Sequence, residues 1–509
     1  MPAKPSDNTA YLYFGLLALL VLASVPAGSV QTWAWTLLVS ALCLLAAGWL
    51  LQWLRGRCEI TPAFHQARWA LLVLLFWCLW IGLQLIALPT GWVQTLSPKA
   101  HETQALAAAA LGLPLPARLT LSLEPHATLD FLLKSVAWSA AFALTLLLVD
   151  RKQRLALLLQ TLVICGMLQA LYGSVMVLSG LEYGFPGNGF PGKKVANLGV
   201  ATGTYVNRNH LAGYLNLCLA AGIGLMIARL GGEAVHSWRQ RLRSLARLLL
   251  GEKARLRIFL IVMVIGLVLT RSRMGNTAFF AGTLIVGAVG LLLMREAPRS
   301  TILFLASMVV LDVLIVGTWF GVDQVMHRIQ ATEVTSNAEN LLPTEDRDEV
   351  DRAAVPYLND FRLTGSGGGT FYVVFPRYHS EKLNGYYDFA HNDYVQILAE
   401  TGVVGLLLCA AVVLGALWQA LRAMRVRRDP LMRGTAFGVS MAICWLLIHS
   451  SVDFNLQMPA TSFTATVMLA LAWVAASLGR ESAPATRRSQ VPGQANALPA
   501  QGQPSSLRP

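Results

Sequence analysis

A helix needs roughly 20 consecutive, mostly apolar residues to cross the hydrocarbon core of a bilayer. This chain repeats such a run about a dozen times. The runs fall near 11–29, 33–53, 69–88, 131–149, 155–178, 209–228, 256–270, 275–294, 301–320, 393–421, 434–450 and 459–478. Inside lipid a helix satisfies its own backbone groups, so the expected fold is an all-α polytopic membrane protein of about 12 transmembrane helices. Composition agrees. The 509 residues are 55% hydrophobic and 13% charged, against about 25% charged in an ordinary soluble domain. Their mean hydropathy is +0.54. A soluble enzyme, a disordered chain and a small disulfide scaffold are excluded.

The formal net charge of +13 invites a nucleic-acid reading until the charges are placed. With the N-terminus cytoplasmic, the inner connections hold 26 of the 40 Lys and Arg residues and the outer connections 13, leaving Lys134 inside a span. Eight lie in 229–257 alone. This is the positive-inside signature of orientation, and 229–257 fits an amphipathic helix on anionic lipid. No nucleic-acid-binding motif accompanies it, so no nucleic-acid partner is expected. The first apolar run is followed at once by a second across Pro26 and Gly28, which favours a retained hairpin over a cleaved signal peptide. Six of the seven cysteines fall in spans and the seventh, Cys58, in an inner loop, so no disulfide framework is implied. No Cys/His spacing suggests zinc.

The expected organisation is a cytoplasmic tail (1–10), nine spans with short loops (11–320), a large outer loop (321–391), three more spans (392–478) and a disordered cytoplasmic tail (479–509). The tail is rich in Ala, Pro, Gln and Ser. An Ala-rich run at 101–113 reads as a short helix lying on the membrane. The 321–391 loop is acidic, carrying 11 of the 27 Asp and Glu residues. Loops of that length are usually functional. Within it 347–360 reads as helical and 364–369 (TGSGGG) as a turn.

Four polar constellations stand out, all on the outer side. His391 and Asn392 precede a span in HNDYVQILAETGVVG (391–405), where Asn392 or Asp393 suits a helix cap and Gly402 and Gly405 suit close helix approach. The bland alternative is an interfacial histidine before a packing helix. Arg271 and Arg273 in LTRSRMGNT (269–277) break the positive-inside pattern. They either snorkel to head groups or hold an anion, since guanidinium matches phosphate oxygens bidentately. Asn207, Arg208, Asn209 and His210 open the sixth span, either as a capped helix start or as a substrate-binding cluster. Arg347, Arg352 and Arg362 precede the Gly-rich loop, which would cradle phosphate through its N–H groups but lacks the Lys-Ser/Thr ending of a P-loop. His449 and Asp453, at the end of the eleventh span, read as structural. A transporter would place its polar residues near the midplane. Here Lys134 is the clearest candidate, and it reads as near the outer edge of a span.

The segment AHNDYVQILAETGVVGLL (390–407) resembles the signature of the O-antigen ligase and Wzy-type polysaccharide polymerase superfamily. TRSRMG (270–275), NRNHLAGYL (207–215) and LTGSGGGTF (363–371) are similar to it in the same order, so the resemblance covers roughly 150–420. It implies a GT-C-like glycosyltransferase in the bacterial inner membrane, with its active site facing the periplasm. It implies undecaprenyl-diphosphate-linked oligosaccharide as donor and an acceptor glycan or lipid A–core as acceptor. It implies neither metal nor other cofactor, and other polysaccharide assembly and export proteins as partners. The catalytic histidine maps onto His391, one arginine onto Arg273 (or Arg271), and a second onto Arg347, where an aromatic residue usual in the family is missing. The chemistry suits these residues: cations offset charge on a diphosphate leaving group, and histidine is a base near neutral pH. The expected activity is polymerisation of exopolysaccharide or O-antigen repeats. The alternatives are O-antigen ligation to lipid A–core or protein, and a transporter or flippase of a lipid-linked or anionic solute.

Overall fold

The computed structural model describes residues 8–180, 199–230, 252–294, short pieces between 302 and 310, and 344–479 except 380–382 and 384. Among the described residues the chain is an all-α membrane protein, and nine helices are long and apolar enough to cross a bilayer. These are α2 (Thr32–Leu54), α4 (Arg68–Leu85), α7 (Pro125–Leu148), α8 (Lys152–Ser179), α9 (Arg208–Arg229), α11 (Arg273–Leu293), α14 (Asp393–Val426), α15 (Pro430–His449) and α16 (Pro459–Ser477). A shorter apolar helix, α1 (Ala10–Ala23), precedes them. Helix α10 (Glu252–Leu269) supplies the expected seventh run but opens with four charged residues. The expected span 301–320 falls almost entirely outside the described residues, as do 1–7 and 480–509.

Several helices start earlier than their apolar runs. Glu124 accepts from the His126 N–H at the start of α7, and Pro125 opens the helix. Asp429 accepts from the N–H groups of Leu431 and Met432 ahead of α15, again with proline first. Capped, polar first turns are helical without being apolar. With α7 beginning at Pro125, Lys134 lies about two and a half turns inside the helix, and its ammonium sits 4.5 Å from the centroid of the Trp35 ring.

Helix α9 is the centre of the bundle and is buried along nearly its whole length. Small residues bring α15 against it. A Cβ on Gly224 would stand 2.4 Å from the Gly434 carbonyl oxygen, and one on Gly438 would stand 2.5 Å from that of Ala220. Lipid provides no hydrophobic drive for helices to associate, so this close backbone packing is a main source of cohesion.

The two ends of the bundle differ in charge. At one end Arg154 donates to the Leu148 carbonyl (2.8 Å) and the Thr9 hydroxyl (3.1 Å). There Lys152 pairs with Asp429 and Arg427 donates to the Leu478 carbonyl. At the other end sits a lobe built on α5 (Thr90–Leu96), α6 (Pro98–Ala110), α12 (Thr344–Asp360) and α13 (Phe371–Val374). A two-residue antiparallel pairing of β1 (Leu88–Pro89) with β2 (Arg118–Leu119) closes the loop that carries α5 and α6. The lobe has its own apolar core, centred on Val350, Ala354, Tyr357, Phe361, Phe371 and Phe375. The Ala-rich run thus forms a helix, and the acidic segment contains one as expected.

The lobe is fastened to the bundle at a break in α14. Gly402 takes φ 67°, ψ −175°, and the TGSGGG loop fills the gap. The N–H groups of Ser366 and Gly367 donate to the carbonyls of Ala399 (3.0 Å) and Glu400 (3.0 Å), and Val403 N–H donates to Arg362 carbonyl (2.9 Å). Gln84 completes the joint from α4, donating to the carbonyls of Thr364 (2.8 Å) and Glu400 (3.0 Å) and accepting from Gly368 N–H (3.1 Å). A Cβ on Gly402 would fall 2.1 Å from the Leu363 carbonyl oxygen. Gly402→Ala therefore combines left-handed strain with a backbone clash. It is expected to cost about 2–4 kcal/mol, read as a lower midpoint of thermal unfolding in detergent.

Candidate functional site

His391 is the last residue before α14 and is one of four non-glycine residues in the described chain with positive φ, at 54°. The neighbouring backbone is fixed on both sides. Ala390 N–H donates to Gln396 Oε1 (2.8 Å), and Asp393 N–H donates to the Ser450 carbonyl (2.9 Å). Asn392 caps α14, its Oδ1 accepting from the N–H groups of Tyr394 (3.0 Å) and Val395 (3.3 Å). The Asp393 carboxylate accepts from Ser450 Oγ (2.7 Å) and from the Leu456 N–H (3.1 Å). The imidazole is half-buried and meets the Phe454 ring edge-on, with centroids 4.7 Å apart. Asn392 also donates to Asp351 Oδ2 on α12 (3.3 Å). Arg347 lies one turn earlier on that helix, and its side chain is outside the described residues.

The two other polar motifs meet the same end of the bundle through α9. Asn207 caps α9 by accepting from Asn209 N–H (2.8 Å), so the capped-helix reading holds for it. Arg208 and Asn209 are half-buried. His210 is 4% exposed, which gives it interior partners in place of an open surface. Its ring stands edge-on to Phe454 at 4.7 Å, and its Nε2 is 3.7 Å from Asp453 Oδ1. On the facing side of α9, Asn216 Nδ2 donates to the Gly275 carbonyl (3.1 Å), holding the first turn of α11. Ser272 caps that turn by accepting from Gly275 N–H (3.2 Å). Ala201 N–H, donating to the Leu269 carbonyl (2.8 Å), ties the end of α10 to the strip of chain that enters α9. Arg271, with φ 51°, and Arg273 are both exposed beside this turn.

The Gly-rich loop is not free to cradle a phosphate. Ser366, Gly367 and Gly368 are buried, and their N–H groups are committed to the break in α14 and to Gln84. Below it Ser366 Oγ contacts the Tyr357 hydroxyl at 2.5 Å. Burial pushes the Tyr357 phenol well above its ordinary pKa, so it remains a neutral hydrogen-bonding group. His449 and Asp453, both 1% exposed, are interior as expected. Three residues escaped sequence reading, Gln84, Glu400 and Phe454, and Asp393 was read only as a possible cap. A glutamine or a phenylalanine in an apolar run carries no signal of its own, and their partners are tens to hundreds of positions away. Asp393 and Glu400 were visible in the tenth span as acids that a lipid-facing helix would avoid.

A half-exposed imidazole and two exposed guanidinium groups at one end of a membrane bundle can take a proton and neutralise an anion. Residues 258–410 match the family model Wzy_C, described as O-antigen ligase. The chain carries a domain of the O-antigen ligase family. No curated protein matches the chain. The match supports a membrane O-antigen ligase- or polymerase-type function, glycosyltransferase-like in kind, and the family type implies lipid-linked glycans at the bilayer. The ligase-family segment runs from α10 into α14, so it contains Arg271, Arg273, Arg347, the Gly-rich loop and His391. The α9 cluster and the Asp453–Phe454 turn lie outside it. Replacing Asn392 by Ala removes both the α14 cap and the tie to Asp351. A loss of about 1 kcal/mol is expected, measured by thermal unfolding, with Asn392→Asp restoring the cap.

Proposed function

We propose that this O-antigen ligase family member polymerises undecaprenyl-diphosphate-linked repeats at the periplasmic face of the bacterial inner membrane. The observation that carries the reading is the convergence at one bundle end of His391, on a left-handed turn, with the Arg271–Arg273 turn of α11. This end is opposite the basic cluster of Arg151, Lys152 and Arg154. Positive charge gathers on cytoplasmic faces, which supports a periplasmic site. A Tyr386→Cys variant, at a residue 65% exposed on the lobe, is expected to react with a membrane-impermeant maleimide in cells with a permeabilised outer membrane. Labelling only after lysis of the inner membrane would reverse the orientation.

His391 takes the proton from an acceptor sugar hydroxyl as that oxygen attacks the anomeric carbon of the donor. The bond from this carbon to the diphosphate breaks, and the electron pair leaves with the diphosphate. Arg273, supported by Arg271 and by Arg347 on the lobe, offsets the charge developing on the phosphate oxygens. Direct displacement inverts the anomeric configuration. The cations serve as the electrophilic partners without a metal. The Asn207–Arg208–Asn209 turn and Asn392 border the same end and contribute to substrate binding. Ligation to lipid A–core or protein is the second reading, favoured by the O-antigen ligase description of the family model.

Gel analysis of a strain lacking the chain separates the two. Loss of polymerisation leaves single repeats, whereas loss of ligation leaves full-length polymer on the lipid carrier. Restoring the chain as His391→Ala or Arg273→Ala is expected to leave transfer at least about 100-fold below wild type. EDTA is expected to leave wild-type transfer unchanged. Full-length glycan from His391→Ala would remove His391 from the chemistry.

A further inference from the structure

A non-glycine residue held at positive φ costs of order 1 kcal/mol or more and persists only where its surroundings over-determine it. Around His391, hydrogen bonds hold residues 390, 392 and 393. The described ring contact of the imidazole itself is with Phe454. That ring is 9% exposed and serves three neighbours at once. His391 meets it edge-on at 4.7 Å and 78°, His210 edge-on at 4.7 Å and 71°, and Phe389 stacks on it at 4.6 Å and 22°.

Phe454 is itself locked from below. Asp453 Oδ1 accepts from the Phe454 N–H (2.9 Å) and faces His210 Nε2 at 3.7 Å. Asp453 and His210 are 1% and 4% exposed. His210 belongs to α9, the central helix, so the chain of contacts runs from the most rigid element of the bundle to the imidazole. None of these three residues lies in the segment that matches the ligase family model.

We propose that Phe454, fixed by the buried His210–Asp453 pair, is the positioning residue that holds the His391 imidazole at the angle needed to accept the acceptor's proton. The proposal rests on the reading of His391 as the base. A misplacement of about 1 Å in a reacting group costs on the order of 100-fold in rate, so a ring that fixes the imidazole acts on turnover and leaves substrate affinity alone.

The test uses the full chain in detergent, with lipid-linked glycan extracted from a strain lacking it as substrate. Phe454→Leu keeps an apolar side chain and removes the ring. It is expected to lower kcat about tenfold at unchanged KM, and Phe454→Tyr to restore most of it. Carbethoxylation of His391 by diethyl pyrocarbonate, followed by peptide mass, is expected to quicken several-fold in Phe454→Leu, independently of turnover. Should that variant fail to accumulate, Asp453→Asn and His210→Gln loosen the ring's support and carry the same two readouts, with kcat falling about threefold. Wild-type kcat and unchanged labelling in the variants would overturn the proposal while His391→Ala remains inactive. Full turnover by His391→Ala would instead overturn the reading of the base.

Discussion

The junction between the membrane bundle and its lobe depends on one broken helix. Apolar helices in lipid keep their backbone bonds to themselves, so a free carbonyl at membrane depth must find a protein partner. At Gly402 the carbonyls of Ala399 and Glu400 find theirs in the N–H groups of the Gly-rich loop, with Gln84 of α4 bonding to both strands of the joint. Glycine is needed there because a Cβ at Gly365 would meet the Glu400 backbone, and one at Gly367 or Gly368 the side chains of Ser122, Thr128 and Phe131. The same joint sets the lobe over the first two turns of α14, and so over His391.

Around this joint the bundle supplies rigidity. Helix α9 is buried on all sides and approaches α15 closely enough for backbone contact. His210 in its first turn meets the Phe454 ring, and Asn216, about two turns further on, donates to the Gly275 carbonyl in the first turn of α11. The imidazole proposed as base and the two guanidinium groups, drawn from segments distant in sequence, are thereby referred to one common frame. In the proposed reaction, preorganisation of this kind favours transfer, because charge developing on a leaving diphosphate would be met by groups already in place.

Sequence reading reached the site by charge that sat on the wrong side. Arg271 and Arg273 stood out against the positive-inside pattern, and His391 stood out as the polar entry to a long apolar helix. The Gly-rich loop was misjudged for a physical reason. A run of glycines signals close backbone approach, and the sequence does not say whether the approaching group is a phosphate or another stretch of the same chain.

The all-α, membrane-spanning character of the chain and the order of its apolar runs were legible in the sequence alone, since both depend on local hydropathy. The partners of Gln84, His210, Asp393 and Phe454 were decided only by the tertiary structure. These contacts join residues up to about 300 positions apart, and such pairings are set by how helices pack. The left-handed turn at His391 belongs to the same class, because histidine tolerates that conformation without requiring it and the surrounding contacts decide it.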